Sequence, residues 1–171
     1  MTTKTRHARG ARAGHVRVLL WAVACAVLAL APGPSGRSWA AQPGSVTPGA
    51  TIVIGNDRGG SVRARVGEIQ QIMRLGQRVE IRGRRCMSSC TMFLGLRDLC
   101  VSPRTVFTFH GPSYYGRTLS PAEFESWSRV IAAHYPEPLR SWYLSTGRTR
   151  IWNGYEMSGA ELARYGIALC R

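Results

Sequence analysis

Apolar positions along the chain fall into short blocks whose period shifts from two to nearly four and back, and each shift marks an element. Thr51-Ile52-Val53-Ile54 is a β-branched run closed by Gly55-Asn56, the pattern of a buried strand. Past Gly59-Gly60, Val62, Val66, Ile69, Ile72 and Met73 recur at helical spacing, and Gly76 is placed to cap that helix. Val79-Glu80-Ile81 alternates as a second strand, after which Arg82 to Arg85 leads into a cysteine-containing run. Met87 to Leu96 is apolar, so a helix is predicted to start at Ser88 or Ser89. Val106-Phe107-Thr108-Phe109 predicts a third strand that delivers His110 at its C-terminal end, where Gly111-Pro112 turns the chain. Ser120-Pro121-Ala122-Glu123 combines an N-cap serine, a first-turn proline and a capping-box glutamate. Ser158-Gly159-Ala160-Glu161 repeats the serine-to-glutamate spacing, and Pro138 to Leu144 predicts a helix between the two. The β–α alternation predicts a single α/β domain over 51–171 with parallel strands.

The N-terminal pattern is different in kind. Lys4, Arg6, Arg9, Arg12 and Arg17 precede an apolar stretch from Val18 to Ala31, shorter than the roughly 20 residues a membrane span needs. Pro32 and Pro34 interrupt it, and Ser38-Trp39-Ala40 has the small-x-small form of a cleavage site. Residues 1–40 therefore read as a signal peptide that sends the chain to the periplasm or outside the cell; an anchor through residues 18–31 is the competing reading. Residues 41–50, rich in Gly, Pro, Ser and Thr, are expected to be a flexible lead-in.

Removing that leader changes the charge. Six of the 23 basic residues precede Ala41 whereas all nine acidic residues follow it, so residues 41–171 carry 17 basic and nine acidic groups, a formal +8. Every basic residue there is an arginine, but the arginines are scattered over predicted helices and loops without interleaved aromatics, which argues against nucleic-acid binding. Cys25 leaves with the leader, and Cys86, Cys90, Cys100 and Cys170 form an even set in an exported chain, pointing to two disulfides. Of three possible pairings, proximity favours Cys86 with Cys90, leaving Cys100 to hold Cys170. A zinc site using these cysteines and His110 competes, but the sequence lacks a CxxC pair and no metal is expected.

The chemistry lies in three pieces in order: Asn56-Asp57-Arg58-Gly59-Gly60-Ser61-Val62, Cys86-Met87-Ser88-Ser89-Cys90 and Phe109-His110-Gly111-Pro112. A serine hydrolase needs a hydroxyl nucleophile, a base, a group that orients the base, and two oxyanion donors. Ser88 can be the nucleophile, His110 the base, and the Gly59-Gly60 turn with the N–H of Ser89 the oxyanion hole. Ser88 also suits a plain N-cap and His110 a structural role beside a turn. Trp127, Trp142 and Trp152 are expected in the core or at subunit contacts rather than in a binding platform.

These motifs resemble the Clp protease proteolytic subunit and its crotonase-superfold relatives, notably short exported Clp-like proteins, from about Ile52 to Ile167. The first piece is similar to the family's Asn-Ser-Pro-Gly-Gly-Ser-Val oxyanion turn; Cys86-Met87-Ser88 stands where its nucleophilic serine lies, Phe109-His110 where its catalytic histidine lies, and Met157 to Ile167 resembles its late helix. The resemblance implies a ββα superhelix, a serine peptidase acting on peptide or another acyl substrate, and a homo-oligomer. No cofactor is expected, and no ATPase partner outside the cytoplasm. Arg58 replaces the turn's proline, and the family's catalytic aspartate falls at Gly154, leaving Asn153 or Glu156 as orienter. Ser89 and Cys90 are neighbouring nucleophile candidates, but spacing to Arg97 favours Ser88. A catalytically silent binding or scaffold module is the second reading; an acyl-CoA enzyme is disfavoured by export.

Overall fold

The computed structural model describes residues 47–171; the leader, its alternative as an anchor, and residues 41–46 of the lead-in lie outside the described residues. Strand β1 (Thr51–Ile54) runs into a glycine turn and helix α1 (Val62–Arg74), which Ser61 caps by accepting from the Ala64 N–H. The helix buries Ile69 and Ile72, and Gly76 takes the left-handed conformation after its end. Met73, expected on the apolar face, is instead exposed. Strands β2 (Arg78–Ile81) and β3 (Arg85–Met87) follow, then a 3₁₀ helix (Ser88–Gly95), β4 (Leu99–Val101), β5 (Val106–Phe109) and α2 (Pro121–Ala132). A short α3 (Leu139–Trp142) passes into a π-helical turn (Tyr143–Gly147) before β6 (Tyr155–Ser158), α4 (Gly159–Leu162) and a last 3₁₀ turn (Ala163–Tyr165).

The described strands form two small sheets, and from β2 to β5 the chain alternates between them. Sheet A is parallel with order β1-β2-β4; sheet B has order β3-β5-β6, parallel between β3 and β5 and antiparallel between β5 and β6. Each of β2-β3 and β4-β5 is thus one strand in each sheet followed by helix. The domain is α/β as the sequence predicts, but β3, β4 and β6 were not predicted, and β6 departs from the expected parallel order. A parallel bridge between Asp57 and Cys86 ties the turn after β1 to β3.

The 3₁₀ helix sits at the centre. Ser89 to Leu94 are all buried, so this segment has no solvent face and no amphipathic period. Met92, Phe93 and Leu94 join Val79, Ile81, Phe107 and Phe109 in the core; each such side chain contributes about 2 kcal/mol of burial. At the end of the lead-in, Gly49 and Gln77 bonds tie residues 47–49 to the region after α1, so this part is not a free tail.

Both disulfides are formed, Cys86 with Cys90 and Cys100 with Cys170, the mark of an oxidising environment. The second extends sheet A: Val101 and Leu169 bridge in parallel, and the Cys170 N–H donates to the Val101 carbonyl at 2.9 Å. No helix among the described residues is long and apolar enough to cross a membrane.

Candidate active site

Ser88 lies where β3 breaks into the 3₁₀ helix, and its φ of 54° puts a non-glycine residue in the left-handed region. Such a conformation costs on the order of 1–3 kcal/mol and persists only where its surroundings impose it. Here they do so from three sides. The Cys86–Cys90 bond brackets the residue. Thr91 Oγ1 donates to the Ser88 carbonyl at 2.7 Å and lies 2.6 Å from the Tyr135 hydroxyl. Because a carbonyl only accepts and a threonine has one proton, Tyr135 is the donor to Thr91. Burial pushes the Tyr135 phenol far up, which keeps that proton in place.

The third side is the glycine turn. Gly59 packs so closely that a Cβ on it would stand 2.6 Å from Ser88 Cβ, 2.7 Å from the Met87 carbonyl oxygen and 3.0 Å from the Ser89 nitrogen. Its φ of 87° and the 141° of Gly60 are also ones that side chains disfavour. The Gly59 N–H donates to Asp57 Oδ1 at 2.7 Å. The N–H groups of Gly60 and Ser89 make no hydrogen bond among the described residues.

His110 follows β5. Its Nδ1 lies 2.7 Å from the Gly111 carbonyl oxygen, which can only accept, so Nδ1 carries the proton and Nε2 is left as the acceptor. Tyr143 donates to the His110 carbonyl at 3.2 Å, and the Gly111 N–H donates to the Arg150 carbonyl at 2.8 Å, fixing the backbone on both sides of the ring. Ser88, Ser89, Gly60 and His110 line one cavity of about 460 Å³. Its apolar wall includes Val62, Leu119, Trp127 and Ile131. Trp127 is part of this wall; Trp142 packs edge-on against Phe109, and Trp152 is exposed.

Asn153 and Glu156 line a second cavity, of about 900 Å³, that shares His110 with the first. Neither hydrogen-bonds His110 among the described residues; Glu156 lies 3.4 Å from Thr108 Oγ1. At Gly154 a Cβ would stand 2.1 Å from the Phe109 carbonyl oxygen and 3.1 Å from His110 Cβ, so this backbone admits no aspartate there. The bond that orients the imidazole comes from the Gly111 main chain. Sequence reasoning missed Thr91, Tyr135 and Tyr143, since a threonine and two tyrosines in apolar runs carry no motif. The cysteines hold no metal, because all four sulfurs are spent in disulfides. No protein-family model matches the chain, and no curated protein matches it.

Proposed function

We propose that this chain is an exported Clp-like serine hydrolase, a peptidase or acyl hydrolase that works as a homo-oligomer without cofactor, ATPase partner or nucleic acid. One observation carries the reading: Ser88 in a strained turn shares a cavity with a histidine whose free nitrogen is the acceptor, and with two N–H groups that have no partner among the described residues. The alternation of two sheets with intervening helices supports the Clp/crotonase ββα relationship. The disulfides and the leader pattern support a periplasmic or secreted address.

In this reaction Ser88 Oγ attacks the acyl carbonyl while His110 Nε2 takes its proton. The carbonyl π electrons move to oxygen, and the N–H groups of Gly60 and Ser89 stabilise the oxyanion. Collapse expels the amine or alcohol with the proton from His110, leaving an acyl-serine that water cleaves by the same steps. Positive charge arising on the imidazole falls on the Gly111 carbonyl rather than on a carboxylate, so turnover is expected to be slower than that of a full triad by up to about 10⁴-fold.

That missing carboxylate favours a second reading, a catalytically silent module of the same fold that binds peptide in the cavity. A fluorophosphonate probe separates them. Labelling of the wild type, lost in Ser88→Ala and strongly reduced in His110→Ala, supports the hydrolase; labelling that survives Ser88→Ala rejects this nucleophile, and an unlabelled wild type favours the silent module.

A further inference from the structure

The glycine turn is held by a charge that the reaction scheme leaves unused. Arg65, on the first turns of α1, has a side chain only 10% exposed, and its Nη2 reaches Asp57 Oδ2 at 2.5 Å. The other oxygen of that carboxylate accepts from the Gly59 N–H at 2.7 Å. The same guanidinium lies over the Phe93 ring, 4.3 Å from its centroid, within the 3₁₀ helix that Ser88 begins. Its Nη1 meets Glu68 at 2.8 Å, while its buried Nε has no partner among the described residues. An arginine accepts such confinement only with strong compensation, and here the compensation joins the turn that bears one oxyanion donor to the helix that bears the other.

We propose that Arg65 is a positioning residue of the hydrolytic site, acting through Asp57 and Phe93; the inference rests on the hydrolase reading. Arg65 has two effects. It fixes the Asp57 carboxylate that receives the Gly59 N–H, which sets where the next N–H, that of Gly60, lies. It also neutralises a carboxylate three residues from that donor, a charge that would otherwise oppose the negative oxygen forming in the transition state. Loss of Arg65 therefore harms the transition state more than binding of the ground state.

The test follows labelling of Ser88 by a fluorophosphonate as a function of probe concentration in the oxidised, full-length protein. In Arg65→Met the maximal labelling rate is expected to fall about 10²-fold, the scale of a small misplacement, with the half-saturating concentration unchanged. Arg65→Lys recovers part of the rate. Asp57→Asn combined with Arg65→Met recovers part as well, because the amide oxygen still accepts from Gly59 and the uncompensated charge is gone. A wild-type rate in Arg65→Met overturns the proposal. Equal losses in all three variants, accompanied by altered near-UV circular dichroism, also overturn it, since they report a general structural role. Amide exchange at Gly59 separates this failure from failure of the hydrolase reading. An unlabelled wild type removes the hydrolase and the catalytic part of this proposal together, while faster Gly59 exchange in Arg65→Met alone still identifies the tether and unchanged exchange rejects it.

Discussion

Sheets A and B are of equal size and differ in what their ends are asked to do. Sheet A, with β4 extended by the C-terminal segment, leads from β1 into the glycine turn, where only glycines take left-handed conformations, and its disulfide closes a separation of 70 residues. Sheet B carries every left-handed non-glycine residue among the described residues: Ser88 after β3, Tyr115 after β5 and Asn153 before β6. Its disulfide spans only four residues. One sheet holds the chain together, while the other uses the resulting rigidity to keep costly backbone conformations around a cavity. The two disulfides accordingly have different jobs, one acting on the unfolded chain and one on local geometry.

Four perturbations test this contrast. The largest effect is expected from Gly59→Ala, whose methyl would overlap Ser88 and the Met87 carbonyl; labelling of Ser88 should fall about 10²–10³-fold, the scale of a lost oxyanion donor. Next, replacing Cys100 and Cys170 by alanine should cost about 4 kcal/mol in urea unfolding, with the labelling rate of the folded protein unchanged. Replacing Cys86 and Cys90 should cost less stability, about 2 kcal/mol for so short a loop, but slow labelling about tenfold as Ser88 relaxes toward ordinary dihedrals. If the sheet A pair controlled the labelling rate and the sheet B pair did not, the division of labour would be wrong.

The smallest effect concerns sheet A alone. Hydrogen bonds from Arg82, and then from Arg78, hold the Glu80 carboxyl below its usual range. A lowered folded-state pKa contributes stability that is fully present above the ordinary carboxylate pKa and is lost as pH falls through the folded value. Glu80→Gln should slightly flatten the acid limb of the stability curve, measured by urea unfolding below about pH 5, and leave Ser88 labelling untouched.

What could be read from the sequence divides in the same way. Helix α1, with Val62, Val66, Ile69 and Ile72 in step, and α2, with its complete capping box, were legible because local pattern and tertiary burial agree. Strands β3 and β4 have three residues each, too few for alternation to register. The run after Met87 was legible as buried but not as 3₁₀, since a segment enclosed on every side shows no period. Ser88, His110 and Gly60, which line one cavity, were legible as neighbours through the order of their motifs. Tyr135 and Tyr143, which fix the two main chains, were not: their role depends on where one hydroxyl ends up. Nor could Asn153 be weighed as an orienter until Gly111 was seen to hold the imidazole.

The unequal spans of the two disulfides also bear on the order in which they close as the chain enters an oxidising compartment. A chain that emerges N-terminus first exposes Cys86 and Cys90 together, whereas Cys100 must wait for a partner 70 residues further on. Early closure of the short loop removes both competing thiols before the distant partner exists. Order of arrival thus favours the connectivity seen, with the bracket around Ser88 expected to close before the bond that ties down Cys170.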